Sequence, residues 1–185
     1  IKAKEPELRT AKLERYKKEY ELPDYDAQII TGSKHMADIF EETTAICKKP
    51  KKVSNWLMGE TLRLLKEHEK EPEDIAFSAE NLAKLIELVD GGVINGNVAK
   101  EVFEQIFDRN IDPEKYVEEK GLKTVNDEGA LRETIEQIVA DNPKSVEDYH
   151  NGKEKAIGFL VGQTMKAMKG KADPGMVNKI LKEIL

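Results

Sequence analysis

Cysteine is all but missing. Cys47 is alone among 185 residues, which excludes an internal disulfide framework and fits a reducing compartment. Aromatic residues make up only 6%, too few for the rows of stacking groups that read single-stranded nucleic acid base by base. No apolar run approaches the roughly 20 residues that a membrane span needs. No signal peptide opens the chain, so a cytoplasmic protein without membrane contact is expected. The sequence starts at Ile1 rather than methionine and runs directly into a charged helical pattern, which reads as part of a longer polypeptide. No segment alternates convincingly as a strand.

Catalytic and metal-binding signatures are missing as well. His35, His68 and His150 lie far apart, none beside a second ligand at metal spacing, and are expected to be satisfied or solvent-facing. Cys47 falls on an apolar helical stripe and is expected in a core. Gly170-Lys171 fails as a phosphate loop, because Met165 stands where the earlier glycine is required and Ala172 where serine or threonine is required. Carboxylates are plentiful, but no pair has the isolated apolar setting that tunes an acid against a base. No active site is expected, and no metal or cofactor in this chain.

What the chain does have is charge and helical periodicity. Charged residues make up 36%, the mark of helices laced with surface ion pairs. A first helix is expected from Pro6 to Tyr20, with Leu8, Leu13 and Tyr16 as anchors. Leu22-Pro23 stops it, and Asp24 or Asp26 is available to cap a short helix ending at Thr31-Gly32. From Ser33, the residues Met36, Ile39, Phe40, Thr43 and Cys47 repeat at helical spacing. A basic loop, Lys48-Lys49-Pro50-Lys51-Lys52, interrupts; it is either merely solvated or a second patch for an anion. The next helix, about Val53 to Glu69, carries Trp56 as an expected core anchor. Ser78 caps a helix with Leu82, Leu85, Ile86 and Val89 inward, ended by Gly91-Gly92. Ala99, Val102, Phe103 and Ile106 mark the next helix. Asp112-Pro113 opens a further one that Gly121 closes, and another places Leu131, Ile135, Ile138 and Val139 inward before Asn142-Pro143. Asp173-Pro174 caps the last helix, with Val177, Ile180, Leu181 and Ile184 inward. The expected fold class is all-α, two small helical bundles in series: connecting helices over 1–35, a first subdomain over 36–111 and a tail subdomain over 112–185.

The stretch from Lys153 to Pro174 stands out from this background. The net charge is -6, yet residues 151–185 carry seven lysines against Glu154, Asp173 and Glu183, a net of +4 that leaves -10 on the rest. Wound at 100° per residue, the stretch places Ile157, Leu160, Val161, Thr164 and Met168 on one side. Lys155, Phe159, Gly162, Lys166 and Lys169 fall on the other. Gly158 and Gly162 lie on or beside the lysine stripe, and glycine in a helix interior costs about 1 kcal/mol against alanine. Close approach of something bulky would repay that cost: a packed helix, or a phosphate backbone. The flanking Lys153, Lys155, Lys166, Lys169 and Lys171 favour the anion.

Gly158-Phe159-Leu160-Val161-Gly162-Gln163, Met165-Lys166, Lys169-Gly170-Lys171-Ala172, Pro174 and Val177-Asn178 closely resemble the C-terminal signature of the GatB/YqeY family, the B subunits of tRNA-dependent amidotransferases. Arg15-Tyr16, Tyr25-Asp26-Ala27, Asn55-Trp56-Leu57, Leu85-Ile86-Glu87-Leu88 with Gly91 or Gly92, Ala99-Lys100-Glu101-Val102-Phe103 and Asn142-Pro143 resemble that family's markers in the same order. The resemblance covers essentially the whole chain. Thr164, Met168 and Asp173 depart from it, standing where an aliphatic residue, threonine and asparagine are usual.

The resemblance implies a concrete role. Proteins of this kind hold Glu-tRNA(Gln) or Asp-tRNA(Asn) while ATP activates the side-chain carboxylate and ammonia from the amidase partner makes the amide. The ATP and Mg²⁺ site belongs to an N-terminal cradle that this chain lacks, and the amidotransferase A and C subunits are the protein partners. What is present resembles the helical region and tail that grip tRNA(Gln) or tRNA(Asn) at the D-loop and elbow. Lys153, Lys155, Gly158, Gly162, Lys166, Lys169 and Lys171 are the expected RNA-binding residues, with no catalytic residue. Two other readings remain: a helical protein-protein module like a stand-alone YqeY protein, and a stand-alone enzyme.

Overall fold

A computed structural model describes residues 7–125 and 127–185, and the protein is all-α. Its helices are α1 Arg9–Glu19, α2 Asp24–Ile30, α3 Lys34–Cys47, α4 Pro50–Trp56, α5 Leu62–Glu67, α6 Ala79–Asp90, α7 Gly96–Arg109, α8 Pro113–Glu119, α9 Glu128–Asp141, α10 Pro143–His150, α11 Lys155–Ala167 and α12 Pro174–Ile184. Among the described residues the only β pairing is an isolated bridge between Val125 and Ala172. The chain forms two compact units, one of residues 1–90 and 100–119, the other of residues 91–99 and 120–185.

In the first unit, α3 packs against α6, each burying the stripe its sequence predicts. Met36, Ile39, Phe40, Thr43 and Cys47 are buried on α3, and Leu82, Leu85 and Ile86 on α6, with Val89 half-buried. Ser33 caps α3 by accepting from the Met36 N–H at 3.2 Å. Ala99, Val102, Phe103 and Ile106 of α7 are fully buried. Trp56 is half-buried with its ring 5.2 Å from that of Phe103, so it anchors by one face only.

Four local expectations need correction. Pro6 as a helix start lies outside the described residues; of the three expected anchors of α1, Tyr16 is buried, Leu13 half-buried and Leu8 74% exposed. Neither Asp24 nor Asp26 caps α2. Pro23 occupies the cap position, freeing Asp24 for Lys17 at 3.1 Å and Asp26 for the Ser54 hydroxyl at 3.1 Å. The basic loop is not a loop through Lys52. Lys48 closes α3 in the left-handed conformation and Pro50, with φ already set for a helix, starts α4. Nor is it a free basic patch: Lys49 and Lys52 both pair with Asp90, and Lys51 with Glu21 at 2.7 Å. Finally, the run from Val53 to Glu69 is not one α-helix, because a π-turn over Leu57–Thr61 joins α4 to α5.

The second unit is built on a single core of Leu131, Ile135, Leu160, Ala172, Val177, Ile180 and Leu181, ringed by Ile138, Val139, Ile157, Val161, Met165, Met168 and Ile184. All but Ala172 and Met168 come from α9, α11 and α12. Burying each large aliphatic side chain there contributes about 1.5–3 kcal/mol relative to exposure. Asp127 caps α9 through the Gly129 N–H at 3.0 Å, and Asp173 caps α12 through the Met176 N–H at 2.8 Å. The three histidines each meet a partner: His35 the Ile75 carbonyl at 2.7 Å, His150 that of Leu185 at 2.9 Å, and His68 the Asp108 carboxylate at 3.9 Å.

Candidate nucleic-acid interface

The core dictates which side of α11 faces solvent. Leu160 and Thr164 are buried, and Ile157, Val161 and Met168 half-buried, as helical spacing requires. Thr164 is tolerated at an aliphatic position because its hydroxyl donates to the Leu160 carbonyl at 2.9 Å, which leaves only its methyl group to pack. The opposite side then presents Lys155, Gly158, Phe159, Gly162 and Lys166, all exposed. A Cβ added at Gly158 or Gly162 would meet nothing within 4 Å, so among the described residues neither glycine makes room for a neighbour.

Beyond α11 the chain turns back through two consecutive left-handed residues, Lys169 at φ 52° and Gly170 at φ 73°. The turn is hydrogen-bonded throughout: Lys169 N–H to Lys166 at 3.0 Å, Gly170 N–H to Met165 at 2.8 Å and Lys171 N–H to Met168 at 3.1 Å. A second set of contacts holds it from outside. The Asn95 side-chain amide donates to the carbonyls of Gly170 and Ala172, and the Val125 N–H donates to that of Lys171 at 2.9 Å. Asn95 also caps α7, accepting from the Val98 N–H at 3.0 Å. Lys169 and Lys171 are thus carried on a fixed loop, the first exposed and the second half-buried.

The seven expected site residues fall into three sets. Lys155, Gly158, Gly162 and Lys166 share the open side of α11, and Lys169 and Lys171 follow on the clamped loop at its end. Lys153 precedes the helix and is held by Asp148 at 2.8 Å. Among the described residues no carboxylate lies within ion-pair distance of Lys155, Lys166, Lys169 or Lys171, in contrast to Lys12, Lys17, Lys49, Lys52 and Lys84. Asp173, the one acid in the loop, is exposed and spends an oxygen on its helix cap.

Three participants lie outside the expected set. The helical wheel already puts Phe159 on the lysine side, so its signal is present in the sequence. Asn95 reads only as a turn residue before Gly96, and no local pattern announces that Val125 pairs beside Ala172.

Comparison with known proteins identifies relatives along the whole chain. The family model described as the GatB domain matches residues 38–185. Curated relatives named as the B subunit of aspartyl/glutamyl-tRNA(Asn/Gln) amidotransferase match at 66% identity in Agathobacter rectalis and 63% in Lachnoclostridium phytofermentans, each over all of this chain and 39% of the relative. The counterpart from Geobacillus thermodenitrificans is 50% identical over 99% of this chain and 38% of its own length. The chain therefore spans about two fifths of these relatives, corresponding to their C-terminal portion. A match over most of its residues, at this identity, places the chain in the GatB/YqeY family.

Proposed function

We propose that this chain is the tRNA-gripping C-terminal portion of an amidotransferase B subunit. It holds tRNA(Gln) or tRNA(Asn) by the D-loop and elbow while Glu-tRNA(Gln) or Asp-tRNA(Asn) is converted to the amide elsewhere in a cytoplasmic complex with the A and C subunits. One observation carries the reading: four lysines without carboxylate partners among the described residues, set on and just past an exposed helix side with open space over two glycines. A folded tRNA offers phosphates, 2′-hydroxyls and shape more than readable base edges, and such a surface suits that recognition.

The chain itself performs no chemistry in this reading. The turn at Gly170-Lys171 does not fit the phosphates of ATP. The N–H groups around Gly170-Lys171 are committed to main-chain carbonyls instead of being free to cradle phosphates. Among the described residues no group of three His, Cys, Asp or Glu side chains is placed to hold a metal. In this reading the nucleotide belongs to the part of the parent protein that this chain does not span.

The test is binding to folded tRNA(Gln) and to a D-loop variant across a salt series. Four lysines displacing counterions give a logarithmic slope on the order of -3 to -4, with preference for the intact elbow. A flat slope together with salt-insensitive binding to a protein partner would replace this reading with that of an interaction module.

A further inference from the structure

Phe159 lies in the middle of the lysine side and takes no part in the core. Its side chain is 48% exposed, while the apolar residues opposite it on α11 fill the core. A single exposed apolar residue is ordinary and would by itself carry no weight. The setting of Phe159 is not ordinary. Its neighbours on the helix surface, three and four residues away, include Lys155 and Gly162, and Gly158 adjoins it in sequence. With no side chain at either glycine, the flank of the ring is open to a flat group. Lys155 and Lys166 stand one turn before it and two turns after it, neither neutralised by a carboxylate among the described residues.

We propose that Phe159 is a stacking platform for a nucleobase presented at the surface of folded RNA. The ring takes the face of the base, and Lys155 and Lys166 take phosphates to either side. This rests on the tRNA reading above and adds to it a contact that does not depend on charge. Unpaired or terminal bases of folded RNA are commonly received on aromatic side chains, and the interaction is tolerant of base identity because every base has a π-face. The charge pattern favours this occupant over a protein helix. A docking helix asks for a continuous apolar stripe, whereas the helix-surface neighbours of Phe159 are Lys155, Ala156, Gly162 and Gln163, which form none.

The experiment measures binding of the 185-residue chain and its Phe159→Leu, Phe159→Tyr and Lys166→Ala variants to folded tRNA(Gln) across the same salt series. Stacking on a base corresponds to about a five- to hundredfold change in affinity. Phe159→Leu keeps the apolar bulk but loses the π-face, so it should bind at least about fivefold more weakly at every salt concentration, with an unchanged slope. Phe159→Tyr should stay within about threefold of the parent, and Lys166→Ala should instead flatten the slope by about 0.7–0.9. Phe159→Trp adds a second indole, whose emission should be quenched when tRNA binds. A parent chain that binds steeply, with Phe159→Leu binding equally well or the new indole unquenched, would overturn the stacking role and leave the tRNA reading standing. A parent chain that does not bind tRNA would overturn both.

Discussion

The side-chain amide of Asn95 donates to the main-chain carbonyl of Ala172 at 3.2 Å, across 77 residues of sequence. The same amide serves Gly170, and the carbonyl end of the side chain caps α7. One half-buried side chain thus fixes both a helix start and the loop that carries Lys169 and Lys171. Losing an N-cap costs about 0.5–2 kcal/mol, and a carbonyl left without its donor about 1–3 kcal/mol.

Asn95→Ala is therefore expected to destabilise the chain by about 2–3 kcal/mol in urea unfolding. Asn95→Asp separates the two roles. Aspartate caps as well as asparagine but replaces the donor with an anion facing two carbonyls, so it should be at least as damaging as alanine. An Asp variant as stable as the parent would show that the amide clamp contributes nothing.

How much of this was legible in the sequence divides by range. Stripes such as Met36, Ile39, Phe40 and Thr43, or Val177, Ile180 and Leu181, appear because a helix writes its buried side into a local repeat. Caps such as Ser78, Asp112 and Asp173 appear because the chemistry of a helix start is also local. The pairings of Lys49 and Lys52 with Asp90 did not, because Asp90 lies about forty residues from the basic run that it partly compensates. The π-turn at Leu57–Thr61 was invisible because one extra residue in a turn leaves Val53, Leu57, Leu64 and Leu65 at spacings an α-helix also allows. At the candidate site the lysines and glycines were legible, whereas Asn95 and Val125 came from outside any window.

Glu41 ties α1 to α3, accepting from Tyr16 at 2.8 Å, Arg15 at 2.7 Å and Lys12 at 3.2 Å. Burial pushes its carboxyl up, but the hydrogen bonds from Tyr16, Arg15 and Lys12 outweigh burial and hold it below the ordinary value of 4.5. A carboxylate depressed in the folded state contributes stability above its unfolded value, and loses that contribution as pH falls through the folded one. Glu41→Gln should cost about 1–2 kcal/mol at pH 7, the lower end reflecting its partial exposure. The gap should narrow as pH falls from 7 into the acid range below 4.5, where the depressed carboxylate takes up its proton. Urea midpoints at both ends of this range check this, and a constant gap would mean that Glu41 acts through packing alone.

Lys169 holds a left-handed backbone, at φ 52°, that costs a side-chain-bearing residue about 1–2 kcal/mol. Glycine relieves that strain but gives back about 0.4–1 kcal/mol through the freer unfolded chain. Lys169→Gly should therefore leave Tm unchanged or slightly raised while reducing the salt slope of tRNA binding by about 0.7–0.9. A fall of several degrees in Tm would instead assign the side chain to the fold.

Gly158 and Gly162 provide the sharpest contrast between stability and binding. Both are exposed in the interior of α11, and an added Cβ meets nothing at either. Alanine should then stabilise the helix by up to about 1 kcal/mol at each position, so nothing among the described residues accounts for glycine there. Leucine at position 162 is expected to keep the fold, by circular dichroism and thermal unfolding, because its side chain extends into open space. It should nevertheless abolish close docking of tRNA by filling the ground between Phe159 and Lys166. A glycine whose replacement raises Tm and destroys binding is there for a partner. A Gly162→Leu chain that binds tRNA with the parent's affinity would mean that nothing approaches this helix closely, and the lysines would then act only at a distance, through their field.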